Sequence, residues 1–180
     1  MVELSAVTSL PAGKVTLRHL TPEDVTKRYV DWMNDAKVVK FTDQRYFRHS
    51  LKDVRTFVAE KLESKSEQLF GIFLDGVHVG NIKVGPVDYR NGSAFLSYFL
   101  GDRSCWGSGI ATAAVLTLTD FCFDKMGLFK LCAGCNELNI ASIKVLEKAG
   151  FNIEARLPMH LVFDGQRVDQ LLFGRLARDR

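Results

Sequence analysis

The spacing of apolar residues changes its period at a short stretch, CWGSGIAT, which occupies positions 105–112. Before this stretch, the run 94–100 is apolar on both faces, which is typical of a central strand covered on both sides. Beyond Gly109, apolar residues recur at the spacing of a helix that packs on a sheet: Ala111, Val115, Leu118 and Cys122. The stretch therefore predicts a corner at which a buried strand turns into a helix.

Strand and helix signals continue on both sides of this corner. A β-meander begins near Leu69, and tight turns are predicted at Asp75–Gly76 and Asp164–Gly165. The alternation changes phase at Gly80–Asn81, as it does at a β-bulge. Helices are expected to begin near Pro22, after Ser50, at the corner and near Asn139. The pattern predicts a mixed α/β fold with a mostly antiparallel sheet of about seven strands and about four flanking helices, in a single domain over residues 1–180.

Composition excludes several classes of protein. Of the 180 residues, 47% are hydrophobic and 25% are charged, which is the balance of one globular domain. The net charge of +3 comes from scattered lysines and arginines, so no nucleic-acid or membrane partner is predicted. The N-terminal segment MVELSAV has neither the basic nor the apolar region of a signal peptide. We therefore expect a cytoplasmic protein, and exposed sheet edges make a homodimer possible.

Four cysteines raise the question of a metal site. Cys132 and Cys135 have the spacing of metal ligands, but Cys105 and Cys122 do not form a second pair of that kind. Free cysteines are among the residues most often buried. The sequence therefore predicts buried, reduced thiols and no metal.

The corner itself has the properties of an anion site. A helix that begins at Gly109 directs unpaired amide N–H groups and partial positive charge toward residues 105–108. Glycine at positions 107 and 109 allows positive φ and lets a ligand lie against the backbone, which suits a diphosphate. A P-loop is excluded because Gly-Lys-Ser/Thr is missing, and Thr112 stands where a dinucleotide fingerprint has its third glycine. A tight turn without a ligand would use the same glycines.

Two blocks of sequence carry a family resemblance. Trp106–Ala111 is similar to the acetyl-CoA loop Arg/Gln-x-x-Gly-x-Gly/Ala of the GNAT family of N-acetyltransferases, with Trp at its first position. Asn136–Phe151 is similar to the segment Asn-x-x-Asn-x-x-Ser…Lys-x-Gly-Phe of the RimJ/RimL-like branch of that family, the ribosomal-protein alanine N-acetyltransferases. The resemblance covers residues 68–176, and it departs from the family at Ala113, where glutamate is common.

The resemblance implies a GNAT-type acyl-CoA N-acyltransferase fold and an activity. Acetyl-CoA would serve as co-substrate, and its acetyl group would pass directly to a primary amine, either a protein N-terminus or a small molecule. Asn139 would bind pantetheine amides, and Ser142 would donate a proton or hydrogen bond to the CoA sulfur. Asn139 as a helix N-cap and Ser142 as a small packing residue are alternative interpretations. The cofactor-binding residues expected from the resemblance are Phe99, Leu100, Trp106, Gly107, Ser108, Gly109, Ile110, Ala111 and Asn139.

The general base that would deprotonate the amine has no clear motif. Because an α-amino group has a pKa of about 7.7–8.0, a modest base or a water chain is enough. His160 in the last hairpin is the first candidate, with Asp169 and Glu154 as alternatives, although a half-exposed strand histidine without a role would look the same. Cys105 as an acetylated nucleophile is disfavoured because no histidine is paired with it in the sequence.

The sequence leaves the acceptor open. The segment 38–49 and the hairpin around Asp164 are rich in aromatic and charged residues, and we expect them to form the wall of the acceptor site. A protein N-terminus, a small-molecule amine and the amino group of a nucleotide-linked sugar all fit this pattern. A catalytically inactive module that binds acyl-CoA is a further interpretation of the same sequence.

Overall fold

The computed structural model describes residues 3–5 and 13–177, which form one eight-stranded sheet and four α-helices. The strands are β1 (Glu3–Ser5), β2 (Val15–His19), β3 (Gln68–Leu74), β4 (Val77–Asp88), β5 (Ser93–Leu100), β6 (Lys130–Asn136), β7 (Asn152–Phe163) and β8 (Gln166–Leu176). The helices are α1 (Lys27–Asn34), α2 (Leu51–Glu63), α3 (Ile110–Asp124) and α4 (Ile140–Lys148). The predicted mixed α/β fold is confirmed, with the three-residue β1 as an additional strand.

Most of the N-terminal segment on which the cytoplasmic prediction rests lies outside the described residues. No helix within 13–177 has the length and apolarity needed to cross a membrane.

The middle of the sheet opens between two strands. The strand order is β1-β2-β3-β4-β5-β6-β8-β7, and all neighbours are antiparallel except β5 and β6. That parallel pair is short, running from Ser93 opposite Lys130 to Phe95 opposite Cys132. β5 nevertheless stays paired with β4 as far as Leu100, and β6 stays paired with β8 to its end. The two strands therefore diverge beyond Phe95, and their facing edges leave the hydrogen-bonded ladder.

Helices cover the two faces of the sheet with separate apolar clusters. On one face, α3 places Val115, Leu118 and Cys122 against the strands with no exposed surface, as the helical spacing predicts. A fully buried side chain of this size contributes about 1.5–3 kcal/mol. On the other face, Val54 and Val58 of α2 pack with residues of α1 and β3. This second layer covers only the β2–β4 side of the sheet.

The first predicted helix begins later than expected. Residues Pro22–Asp24 form a single 3-10 turn, which Asp24 closes by accepting a hydrogen bond from the Thr21 backbone N–H at 2.9 Å. Val25 then adopts an extended conformation and inserts its side chain into the core, where it is 1% exposed. That insertion ends the turn, and α1 starts afresh with Thr26 as its N-cap. In contrast, α2 begins where predicted, with Ser50 and Asp53 forming a capping box.

The prediction that β5 is covered on both faces is wrong. Ala94 and Leu96 are buried, but Phe95 is 51% exposed and Ser97 is exposed. The second helical layer does not extend over this strand, and the sheet opens beside it. The predicted bulge is confirmed within one residue, because Ile72 pairs with Gly80 and Phe73 pairs with His78, which leaves Val79 as the extra residue.

A partly buried histidine makes the stability of the fold sensitive to acid. The His78 ring stacks on Phe73 at 5.1 Å and meets the edges of Tyr29 and Trp32. Its Nε2 lies 2.8 Å from Asn81 Oδ1, and burial lowers the pKa of the ring. The unfolded chain therefore binds a proton more readily than the folded one, so the free energy of unfolding falls as pH drops below the ordinary value of 6.5.

We predict that urea denaturation at pH 7.5 and pH 5.5 reports this loss of stability, with a weaker pH dependence in His78→Gln. Each histidine changes the free energy of unfolding by at most about 1.4 kcal/mol per pH unit. His19, which stacks on Phe70 and whose pKa burial also lowers, contributes in the same direction in both proteins. Equal pH dependence in the two proteins would contradict the assignment to His78.

Candidate active site

The predicted corner is a bend of bare backbone at the start of α3. Gly107 and Gly109 have φ of +75° and +85°, and Gly109 caps the helix with no side-chain hydrogen bond. No atom lies within 4 Å of the position that a Cβ of residue 107 would occupy. The first N–H groups of α3 have no partner within the helix and carry the positive end of its dipole. The bend therefore has room and hydrogen-bond donors for an anion such as a diphosphate.

Two side chains fix the shape of this bend. Ser108 Oγ donates a hydrogen bond to the Cys105 carbonyl at 2.5 Å. Trp106 is 45% exposed, and its Nε1 donates to the Leu100 carbonyl at 3.0 Å. The indole therefore ties the bend to the end of β5, which explains a tryptophan at the first position of the loop.

A cavity of about 660 Å³ lies where β5 and β6 diverge. Residues 96–99 of β5 and 133–136 of β6 line it, and Asn139, Ser142 and Leu146 of α4 line it from one face of the sheet. Side chains of α1, α2 and the segment between these helices line it from the other face: Tyr29, Met33, residues 40–46, His49, Asp53, Val54 and Phe57. The cavity thus passes between the strands and connects the two faces. Phe99 lines it, whereas Leu100 contributes only its carbonyl to the Trp106 bond.

A hydrogen-bonded pair spans the opening between β5 and α4. The Tyr98 hydroxyl lies 2.9 Å from Ser142 Oγ and 3.3 Å from the Ser142 carbonyl oxygen. Burial raises the pKa of Tyr98 above its ordinary value, and the Ser142 hydroxyl partly offsets this rise. Asn139 is the N-cap of α4, as one interpretation of the sequence predicts, because its Oδ1 accepts from the Ser142 N–H at 3.2 Å.

Sequence reasoning missed Tyr98. The sequence feature that could have identified it is a tyrosine within a central apolar strand, since a buried tyrosine hydroxyl usually has a hydrogen-bond partner.

The thiols near the site remain protonated. All four cysteines are free, and Cys105, Cys122 and Cys135 are buried, as predicted, whereas Cys132 is only partly buried. Burial raises the pKa of Cys105, and the Asp102 carboxylate adds to this rise. Burial likewise raises the pKa of Cys135 beside Ser142. Because the thiolate is the nucleophilic form, an acetyl-cysteine intermediate is disfavoured. Within 13–177, no cluster of three or more metal-ligating side chains forms.

The structure does not bring the three predicted bases to the cavity. His160 is exposed on β7, in a segment where the pairing with β8 shifts register and Met159 has a φ of +54°. Asp169 binds Arg156 and the Met159 N–H, and Glu154 forms an ion pair with Lys130 at 2.7 Å. Among the residues that line the cavity, the carboxylate and imidazole side chains are instead those of Asp43, His49 and Asp53.

The two segments expected to form the acceptor wall contact each other. The Phe41 ring stacks on Phe163 with centroids 5.1 Å apart. Arg45 donates to the Val162 carbonyl at 2.9 Å and lies 3.5 Å from an Asp164 carboxylate oxygen. The segment between α1 and α2 is therefore fastened to the β7–β8 turn, and together they close one end of the cavity.

Comparison with known proteins places this geometry in a family. Residues 14–152 match the sequence profile of the acetyltransferase (GNAT) domain. A structure of Mycobacterium smegmatis RimJ, in complex with CoA-disulfide, superposes with a TM-score of 0.85 at 26% identity, covering 98% of this chain and 88% of RimJ. The probable N-acetyltransferase YjcK of Bacillus subtilis is 34% identical over 67% of each chain. The spermidine N(1)-acetyltransferase of Escherichia coli K12 is 25% identical, covering 86% of this chain and 82% of its own. The chain therefore belongs to the GNAT family and is an N-acetyltransferase that acts on amines.

Proposed function

We propose that this enzyme transfers the acetyl group of acetyl-CoA directly to the α-amino group of a protein or peptide N-terminus. The observation that carries the proposal is the cavity that passes through the sheet between β5 and β6. Asn139, Ser142 and Leu146 of α4 line the cavity on one side of the opening, and residues 40–46 line it on the other. None of residues 105–111 lines the cavity, and we assign the bend to the α4 side because it begins α3, which contacts α4. Two substrates can thus meet from opposite faces without a covalent enzyme intermediate.

The residues of the bend fit the diphosphate of the co-substrate. The amides of residues 107–111 would hold it, and Trp106 would keep the bend in position through its bond to the Leu100 carbonyl. The free edges of β5 and β6 offer N–H and C=O groups to the amides of an extended pantetheine chain. The Asn139 Oδ1 already accepts the capping hydrogen bond from the Ser142 N–H. The amide N–H groups of Asn139 therefore remain available to bind the pantetheine chain.

The chemistry supplied by the co-substrate is an activated carbonyl with a thiolate leaving group. Backbone N–H groups of β5 next to Phe99 would polarise that carbonyl, which typically contributes about 3 kcal/mol per donor. The amine nitrogen bonds to the carbonyl carbon, the carbon–sulfur bond breaks with its electron pair on sulfur, and the nitrogen loses its proton to water. Ser142 donates a hydrogen bond to the sulfur. An α-amine needs no stronger base, since its pKa is about 7.7–8.0.

The charges of the wall favour an acceptor with a single ammonium group over a polyamine. Lys40, Arg45 and Lys83 line the cavity, against the carboxylates of Asp43 and Asp53. The Asp53 carboxylate is already bonded to the N–H and hydroxyl of the helix cap, at 2.8 and 2.7 Å. A polyamine keeps further ammonium groups after one nitrogen is deprotonated, and these would be repelled by a lining cation that has no carboxylate partner among residues 13–177.

Lys40 is the cation that we expect to matter most for acceptor choice. Its Nζ lies over the Phe41 and Phe163 rings at 5.2 and 5.7 Å, and it forms no ion pair within residues 13–177. Arg45 and Lys83, by contrast, are paired with Asp164 and Glu67. An unpaired ammonium at the wall repels a cationic acceptor and attracts an acidic one.

We predict that Lys40→Glu raises kcat/KM for spermidine about tenfold and lowers it for a peptide with acidic residues near its N-terminus by a similar factor. Both changes should shrink at 0.5 M salt, because the site is open to solvent. Lys37→Glu is the matched control, since this exposed lysine does not line the cavity. Equal effects of the two substitutions would contradict the role of Lys40.

The proposed function is tested by thiol release from acetyl-CoA with a panel of amines: N-terminal peptides, spermidine and a nucleotide-linked amino sugar. The proposal expects the highest kcat/KM with peptides. A preference for the amino sugar or spermidine would overturn the acceptor assignment, and tight CoA binding without release from any amine would indicate an inactive acyl-CoA-binding module.

A further inference from the structure

We infer that Tyr98 is a positioning residue that holds the Ser142 hydroxyl in the orientation needed to hydrogen-bond the leaving sulfur. The inference rests on the proposed function, in which Ser142 faces that sulfur. It concerns a residue of β5, outside both sequence blocks that carry the family resemblance. The pair is the only direct side-chain hydrogen bond between β5 and α4 among residues 13–177.

The number of protons in the pair limits its possible states. The Ser142 carbonyl oxygen can only accept, so the 3.3 Å contact uses the Tyr98 proton when that contact forms. In that state, the Ser142 hydroxyl donates to the Tyr98 oxygen across the 2.9 Å contact. When the Ser142 hydroxyl turns its proton toward a sulfur, the Tyr98 hydroxyl can rotate and donate its hydrogen bond to Ser142 Oγ instead of to the carbonyl oxygen. A single rotation of each hydroxyl therefore converts the resting pair into a donor directed at the leaving group.

This second state strengthens the serine as a donor. A hydroxyl oxygen that accepts a hydrogen bond has a more polarised O–H, because bonds in a chain reinforce one another. The burial that raises the pKa of Tyr98 also opposes loss of its proton. The tyrosine thus acts by orienting and polarising Ser142 rather than by delivering its own proton to the sulfur.

The surroundings of Tyr98 suit a positioning role. Its ring packs against the buried cluster beneath α3 and α4, and its strand remains paired with β4 at this residue, where Tyr98 lies opposite Ile82. Ser142 in turn lies in the first turn of α4, which the Asn139 cap fixes. Both hydroxyls therefore stand on regular elements at the opening of the sheet, and phenylalanine at position 98 would retain the packing of the ring.

The test is a double-mutant cycle on kcat with saturating acetyl-CoA and acceptor. Tyr98→Phe is expected to lower kcat about tenfold, the effect of losing the one hydrogen bond that orients and polarises the Ser142 hydroxyl, with KM for both substrates changed less than about twofold. In the Ser142→Ala background, the same substitution should have no further effect, because the hydroxyl that it orients is gone. Tyr89→Phe is the control, since this exposed hydroxyl bonds the Lys65 carbonyl and no other group within residues 13–177.

The outcomes separate the inference from the proposed function. Multiplicative losses in the double variant would overturn the inference, because a merely structural defect lowers kcat regardless of Ser142. An unchanged kcat in Tyr98→Phe would overturn it as well. If Ser142→Ala and Tyr98→Phe both retain full kcat in an active enzyme, the proposed role of Ser142 fails and acetyl transfer stands. If no amine is acetylated by the unmodified enzyme, the proposed function itself fails.

Discussion

Replacement of Gly107 by leucine is expected to weaken CoA binding about 100-fold, which corresponds to about 2.7 kcal/mol. The residue has a φ of +75°, and open space surrounds the position where a Cβ would lie. In our account, this space holds the diphosphate, and the neighbouring amides bind it. A leucine side chain would occupy the site and separate the phosphate oxygens from the backbone. Isothermal titration calorimetry with CoA measures the loss.

Gly76→Leu is the matched control for this substitution. Gly76 has a φ of +80°, nothing lies within 4 Å of its Cβ position, and it sits in the β3–β4 turn away from the cavity. Both variants therefore carry a similar backbone strain of about 1–2 kcal/mol, and only one should lose affinity for CoA. Unchanged CoA affinity in Gly107→Leu, or equal losses of CoA affinity in the two variants, would show that the bend does not bind the diphosphate.

Replacement of Ser142 by alanine is expected to lower kcat about 100-fold, the usual effect of losing a group that stabilises a leaving atom. The helix should not suffer, because the Asn139 cap accepts from the backbone N–H of residue 142 and alanine has the same N–H. Alanine is also a better helix former than serine. Affinity for CoA and thermal stability should therefore remain close to those of the unmodified protein.

Steady-state kinetics and calorimetry on the same preparation check this prediction. If kcat is unchanged, Ser142 is only a small residue for close packing, as the alternative interpretation of the sequence has it. If kcat and CoA affinity fall together, Ser142 contributes to binding rather than to departure of the sulfur.

The features that the sequence predicts correctly are those set by local chemistry. Gly107 and Gly109 mark the corner because positive φ is costly for other residues, and Asn139 marks the start of α4 because its side chain satisfies an N–H within the same turn. The Asp164–Gly165 turn is local in the same sense, with φ of +49° and +78°. Each of these signals lies within a few residues of its structural effect.

The parts that the sequence does not give depend on the arrangement of distant strands. Phe95 looks like a buried strand residue, but the opening of the sheet beside β5 leaves it half exposed. His160 looks like a site residue in the last hairpin, but the register shift between Leu157 and Leu161 leaves it on the surface. The Tyr98–Ser142 pair joins residues 44 positions apart, and no local pattern encodes it.

The most direct test of the account is a crystal structure of the enzyme with CoA. We expect the diphosphate oxygens within about 3.2 Å of the backbone nitrogens of the bend at residues 107–111. We also expect the sulfur between the diverging ends of β5 and β6, in contact with Ser142. CoA bound elsewhere on the chain, or a sulfur outside the cavity, would contradict the account.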